Sequence, residues 1–416
     1  MPVPRRRKLS LEDVCPPVQG GDVPMLHRPC ATPANFGANC PEVMEAIRPV
    51  DVGGVHVRCD AHSRDTPGDP VGERGEMHDF YSDTKTRPTE AMRRVVLDAV
   101  VGDEQKGEDP TTTALERRVA GLLGKDAAVF LPSGTMCNEI ALRVHLDPGD
   151  ELICERSAHI VGFEGGGPAA FAGAMVHALD GHRGTFTPEQ VAGAVRSPSR
   201  YAPASRLVCV EQTANMAGGA VWPLDRLRAV AAVARDAGLS VHMDGARLMN
   251  AVVASGTSAD AFARDVDSVW IDFTKGLGAP VGAALAGSGA FIDRAWRVKQ
   301  QMGGAMRQSG VLAAMCLHAI DHHVERLADD HALAASIADR IGALPGVASV
   351  LPVDTNIVIG DLAEGACDAA ELVAGCAADG VEIGAFGPRR FRVVTHLDVD
   401  PHDGDALCES FARQLG

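Results

Sequence analysis

Three short segments carry residue types that can do chemistry together. In the first, Phe130-Leu-Pro-Ser-Gly-Thr-Met-Cys-Asn, an apolar run ends in Ser133, Gly134 and Thr135, where a helical pattern begins. Two hydroxyls and a glycine at a helix N-terminus offer free backbone N–H groups, side-chain donors and a positive dipole end, which suits a phosphate. The same residues also serve as an ordinary N-cap. In the second, Ser240-Val-His-Met-Asp-Gly-Ala-Arg-Leu, an apolar strand pattern ends in Asp244, where open α/β sheets place their ligands. An aspartate there can be a loop acid, a metal ligand or the partner of a cationic ring nitrogen. In the third, Ile271-Asp-Phe-Thr-Lys-Gly-Leu-Gly, a strand pattern ends in Thr274 and Lys275 beside flexible glycines. Each segment alone is weak. A phosphate cradle, a strand-end acid and a strand-end lysine 31 residues later are, together, the three anchors of pyridoxal phosphate. The phosphate is held, the ring N–H is charge-paired so that the ring draws electrons, and the aldehyde forms a Schiff base with lysine.

The elements that must position these residues follow from periodicity. Short apolar strands (127–131, 151–154, 174–179, 206–211, 240–243, 268–273, 282–286) alternate with helical patterns such as 112–123, 136–145, 188–195 and 224–238. Such alternation predicts a mostly parallel sheet covered on both faces. Helical spacing continues over 291–301 and 309–344. The tail reads as strands near 355–359, 381–383 and 391–395 with helices at 367–378 and 404–414, a small α+β domain. The expected organisation is an N-terminal extension over 1–78, a large domain over 79–320 and a small C-terminal domain over 321–416.

With 39 Lys+Arg against 55 Asp+Glu the formal charge is −16, which argues against a phosphate-neutralising nucleic-acid surface. Mean hydropathy is +0.01, and no run approaches the ~18 apolar residues of a membrane span. The N-terminus has no signal-peptide core, so a cytoplasmic location is expected. Eleven cysteines include no C-x-x-C pair and read as reduced thiols used as small apolar residues. Cys59-Asp-Ala-His62 has only a faint metal-ligand look, and no metal is expected. Aromatics are 4%, so the core must come from Ala, Val, Leu and Ile.

Further segments extend the pattern: Ser82-Asp-Thr-Lys-Thr-Arg-Pro, Val101-Gly-Asp-Glu-Gln-Lys-Gly-Glu-Asp-Pro, Ala158-His159 with Phe163-Glu-Gly-Gly, His242-Met-Asp-Gly-Ala-Arg-Leu-Met-Asn-Ala, Gly303-Gly-Ala-Met-Arg-Gln-Ser-Gly and Arg392-Val-Val-Thr-His-Leu-Asp-Val. In this order, over about residues 80 to 416, the chain resembles the L-threonine aldolases of the β-eliminating lyase group. The resemblance implies a pyridoxal-phosphate fold-type I (aspartate aminotransferase-like) architecture with a seven-stranded, mostly parallel sheet. It implies a carbon–carbon lyase giving glycine and an aldehyde from a β-hydroxy-α-amino acid. β-Elimination, transaldol chemistry on a related amino acid, and a catalytically silent relative are the alternatives.

The resemblance also implies roles. Lys275 binds the cofactor aldehyde, Asp244 pairs with the ring nitrogen, and His159 stacks on the ring. Ser133, Gly134, Thr135 and Thr274 surround the phosphate. Ser82, Arg247 and Arg392 grip the substrate carboxylate. Arg307 lies at the active site near a subunit boundary, in a homodimer or homotetramer with shared sites. Two features depart from the family. About 80 N-terminal residues have no counterpart, and their apolar content (Met25, Leu26, Phe36, Val43, Ile47) leads us to expect ordered chain near the pocket entrance or the subunit boundary. In Glu211-Gln-Thr-Ala-Asn, Ala214 stands where many threonine aldolases carry a histidine placed near the substrate hydroxyl.

Overall fold

The computed structural model describes residues 77–416. The expected extension and Cys59-Asp-Ala-His62 therefore lie outside the described residues, apart from the extension's last two positions.

A seven-stranded sheet forms the larger layer. Its strands lie in the order Ala127–Leu131, Ala283–Gly287, Ser268–Asp272, Ser240–Gly245, Ser205–Glu211, Glu151–Glu155 and Met175–Leu179. Only Ala283–Gly287 runs antiparallel to its neighbours. The two strands Ser268–Asp272 and Ala283–Gly287 are buried along their whole length, as strands covered on both faces must be. Their covering helices begin on strong signals. Asp109 caps Pro110–Leu123 through the Thr112 N–H with Pro110 in the first turn, and Thr187 and Gln190 form a capping box for Pro188–Ala194.

A second layer has its own core. Four antiparallel strands, in the order Gly384–Ala385, Arg390–Val394, Ile357–Leu362 and Val347–Val350, pack with helices Leu327–Gly342, Ala369–Ala378 and Pro401–Leu415. Phe80 is fully buried in this core, and His78–Asp79 pairs with Val381–Glu382. The first described residues thus belong to the small layer.

One expectation changes in a way that bears on the site. The pattern over 309–344 is two helices, Gly310–His322 and Leu327–Gly342. Between them His323 Nδ1 donates to the Leu277 carbonyl at 2.7 Å, and Arg326 Nη1 reaches Asp330 at 3.0 Å and the Gly276 carbonyl at 3.4 Å. The break is where the chain clamps the turn that follows Lys275.

The seven cysteines among the described residues are free, and six are buried. Among those residues no helix is long and apolar enough to cross a membrane.

Candidate active site

Parallel pairing brings the carboxyl ends of neighbouring strands into line. Glu211 lies opposite Asp244, and Asp244 opposite Trp270. A cleft of about 230 Å³ opens there, lined by Ser133, Gly134, Thr135, His159, Glu211, Asp244, Arg247, Asp272, Thr274 and Lys275 among others. Three segments that are far apart in sequence therefore meet in one place.

The Ser133 hydroxyl accepts from the Met136 N–H at 3.3 Å and caps helix Gly134–His145. Gly134 is required there, because a Cβ would fall 2.3 Å from the Trp270 ring. Thr274 is held by Asp272, whose Oδ1 accepts from the Thr274 N–H at 2.9 Å and from its hydroxyl at 2.7 Å. The other Asp272 oxygen lies 3.5 Å from Lys275 Nζ.

Asp244 is 4% exposed. It accepts from Asn138 Nδ2 at 2.9 Å and from the Ala246 N–H at 3.0 Å. Burial raises its pKa, although the Lys275 charge and the Asn138 bond oppose the shift. A carboxylate held in such a place gains most from a cation set against it. His159 lies across the cleft. Its Nδ1 is 2.8 Å from Glu164 Oε1, its backbone N–H donates to Glu211 at 2.6 Å, and its ring stacks on Phe163. Burial pushes the imidazole pKa down, but the Glu164 bond and the charges of Asp244 and Glu164 outweigh it and raise it. Burial and the nearby Asp244 charge push Glu211 up to about 7.

Four further expected residues differ in how they meet the cleft. Arg247 lines the cleft, but Nε and Nη2 bond the two oxygens of Asp83 at 2.8 and 2.7 Å. Asp83 is fully buried, and an ionised carboxylate there needs a charge partner. Only Nη1 remains, 3.4 Å from Asn215 Oδ1. Ser82 caps the turn Asp83–Lys85 and accepts from the Thr84 N–H and hydroxyl; Thr84 lines the cleft in its place. Arg307 is 62% exposed and pairs with Asp103 at 3.0 Å, outside this cleft. Its segment is anchored elsewhere, through Glu104, which accepts from the Met306 N–H. Arg392 does not line the cleft but feels the charges of Asp83 and Arg247; it is 9% exposed, with Nε lacking any partner. Burial and the Arg247 charge lower its pKa to about 10. A desolvated guanidinium with a free N–H is an anion receptor waiting for a ligand.

The Ala214 methyl does not line the cleft. It packs with Ala217 and Ala220 beside a void of about 10 Å³, and a Cβ on Gly184 would fall 2.3 Å from it. The turn at Gly184 thus packs directly against the Ala214 methyl.

Sequence reading missed Asp83, Asn138, Glu164 and Glu211. Asp83 is legible as the residue after Ser82, and Glu211 as a strand-end acid. Asn138, fully buried, sits one helical turn beyond Gly134 on the same face, a spacing that could have placed it beneath the cradle.

The chain is similar to known proteins over most of its length. The family model described as "Beta-eliminating lyase" matches residues 79–365. Low-specificity L-threonine aldolase 1 of Arabidopsis thaliana is 37% identical over 343 residues, covering 81% of this chain and 96% of the relative. The low specificity L-threonine aldolase of Escherichia coli O157:H7 is 39% identical over 324 residues, covering 78% and 95%. Among solved structures, a Leishmania major threonine aldolase superposes with a TM-score of 0.71 at 22% identity, covering 80% of this chain and 98% of that one.

Proposed function

Since the chain belongs to the β-eliminating lyase family, in its threonine aldolase branch, we propose that it cleaves, or in reverse forms, the Cα–Cβ bond of a β-hydroxy-α-amino acid, yielding glycine and an aldehyde. The observation that carries this reading is the meeting of Ser133–Thr135, Asp244, Lys275 and His159 around one cleft, with the unpartnered Arg392 nearby.

The residues present fit pyridoxal phosphate. Asp244 is a buried carboxylate suited to a cationic ring N–H, and Lys275 offers an amine 3.5 Å from its nearest acid. The helix N-terminus at Gly134, with the Ser133, Thr135 and Thr274 hydroxyls, would hold the phosphate. When bound, the cofactor supplies a cationic ring able to accept the electron pair of a breaking bond at Cα.

The chain's own residues do the rest. Arg392 takes the substrate carboxylate on its free guanidinium edge, and Arg247 Nη1 faces the cleft beside it. His159 is the imidazole on the cleft wall, and it takes the β-hydroxyl proton as the carbonyl of the departing aldehyde forms. Arg307, exposed and outside its own cleft, serves the cleft of a second copy in a homo-oligomer.

Product identification tests this directly. Purified protein supplied with the cofactor and with L-threonine, L-allo-threonine or an aryl-serine should release glycine and the matching aldehyde. Pyruvate and ammonia in their place would make the enzyme a β-eliminating one.

A further inference from the structure

Two buried carboxyls behind the cleft have no part in the reading above. Glu139 follows Asn138 on helix Gly134–His145 and is 2% exposed. Glu164 lies between helices His159–Gly162 and Gly167–Ala172, with its side chain fully covered. Glu164 Oε1 accepts from Asn138 Nδ2 at 2.7 Å and lies 2.8 Å from His159 Nδ1. Glu164 Oε2 and both Glu139 oxygens have no donor, yet the two carboxyls are hydrogen-bonding neighbours. The segment that carries Glu164 packs closely on Glu139, since a Cβ on Gly167 would fall 1.8 Å from Glu139 Oε1.

Two ionised carboxylates side by side, out of water and with three of their four oxygens lacking a donor, are strongly disfavoured. A single proton between them supplies the missing donor and leaves one negative charge. We propose that Glu139 and Glu164 share one proton, and that this acid–carboxylate pair holds the Nδ1–H of His159 so that its Nε2 exchanges a proton with the cleft. The role given to His159 rests on the aldolase reading; the shared proton does not.

Charges around the pair agree with this arrangement. Burial, with Glu164 alongside, pushes Glu139 up to about 9. His159 faces the pair from its own short helix, Asp244 through Asn138, and Glu211 through the His159 backbone. Lys275 acts on His159 and Asp244 from the far side of the cleft. The pair keeps its proton at neutral pH. As pH rises through its titration, the two carboxylates repel and release the imidazole, so activity falls on the alkaline side.

Two measurements decide the matter. In infrared difference spectra at neutral pH, the wild-type protein should show the C=O stretch of a buried neutral carboxylic acid, absent in Glu139→Gln. Its disappearance should track the alkaline limb of kcat/KM. Glu139→Gln still donates to Glu164 but cannot ionise, so its alkaline limb should move up by at least about one pH unit, while the acid limb set by His159 stays. A wild-type spectrum without a neutral carboxyl band overturns the shared proton, whatever reaction the enzyme runs. An unchanged alkaline limb in Glu139→Gln, with the band removed, overturns its link to His159. Failure to detect glycine as product would instead count against the aldolase reading.

Discussion

At the scale of single residues, two arginines close enough to feel each other's charge, Arg247 on the cleft lining and Arg392 off it, have opposite chemistry. Arg247 spends its fork on Asp83, and Arg392 has its Nε free. Residue type alone could not separate them, since both match family segments; what separates them is the carboxylate at 83, contributed by a segment more than 160 residues upstream of Arg247. Arg392→Lys keeps the charge but loses the planar fork. It should raise KM for every amino acid tested while the melting temperature and cofactor content stay near wild type. Asp83→Asn should behave in the opposite way, because it strands a buried guanidinium and costs about 3–5 kcal/mol of stability. Burial alone would raise the Asp83 pKa, but Arg247 holds it well below the usual carboxylate range. Its contribution is therefore complete above the unfolded value of about 3.9 and lost as pH falls through the folded one. Thermal melts from neutral to acid pH should show a steep acid loss in the wild type that is flatter in Asp83→Asn. A flat wild-type profile would count against the ion pair as a stabilising unit.

At the scale of elements, the alternation of strands and helices was legible because the central strands are buried on both faces and read as unbroken apolar runs. Ser268–Asp272 and Ala283–Gly287 are buried throughout, and their expected limits lie within a residue of the observed ones. Breaks set by tertiary contacts were not legible. The pause after His322 depends on carbonyls at 276 and 277, and a helical period carries no trace of them. Gly134 shows the same limit in reverse. Sequence reading gave it a backbone role at the phosphate cradle, whereas the structure adds a packing role beneath Trp270, whose Nε1 donates to Asn138 at 2.7 Å. Gly134→Ala should push the indole away, cost about 1–3 kcal/mol by overpacking and disturb the Asn138 bond to Asp244. The expected result is a lower melting temperature together with weaker cofactor binding by absorbance titration. Loss of stability with unchanged cofactor affinity would confine Gly134 to packing.

At the scale of the whole molecule, the sequence pointed to the site because its anchors are local signals at strand ends, and the fold needs only to bring those ends together. It gave no way to see which copy of the chain a residue serves. Arg307 is the test case: it is exposed, paired with Asp103, and set on a segment tied to Glu104 outside its own cleft. The cradle at Ser133–Thr135 offers a dianionic group hydroxyls and N–H groups, with Lys275 and Arg247 the cations on the cleft lining, one given to the aldehyde and the other to Asp83. If Arg307 completes the cleft of a second copy, two defective chains can repair each other. Lys275→Ala alone should lose both the borohydride-stable cofactor bond and turnover, and Arg307→Ala alone should bind the cofactor weakly. In a mixed dimer of the two, one cleft combines an intact Lys275 with an intact Arg307 from the other chain, and its counterpart lacks both, so about half the clefts are complete. Co-expression with two affinity tags and purification of the hybrid measures this. Activity well above either parent places Arg307 in the partner's cleft; activity no greater than the Arg307→Ala parent returns the residue to its own chain and to a structural role with Asp103.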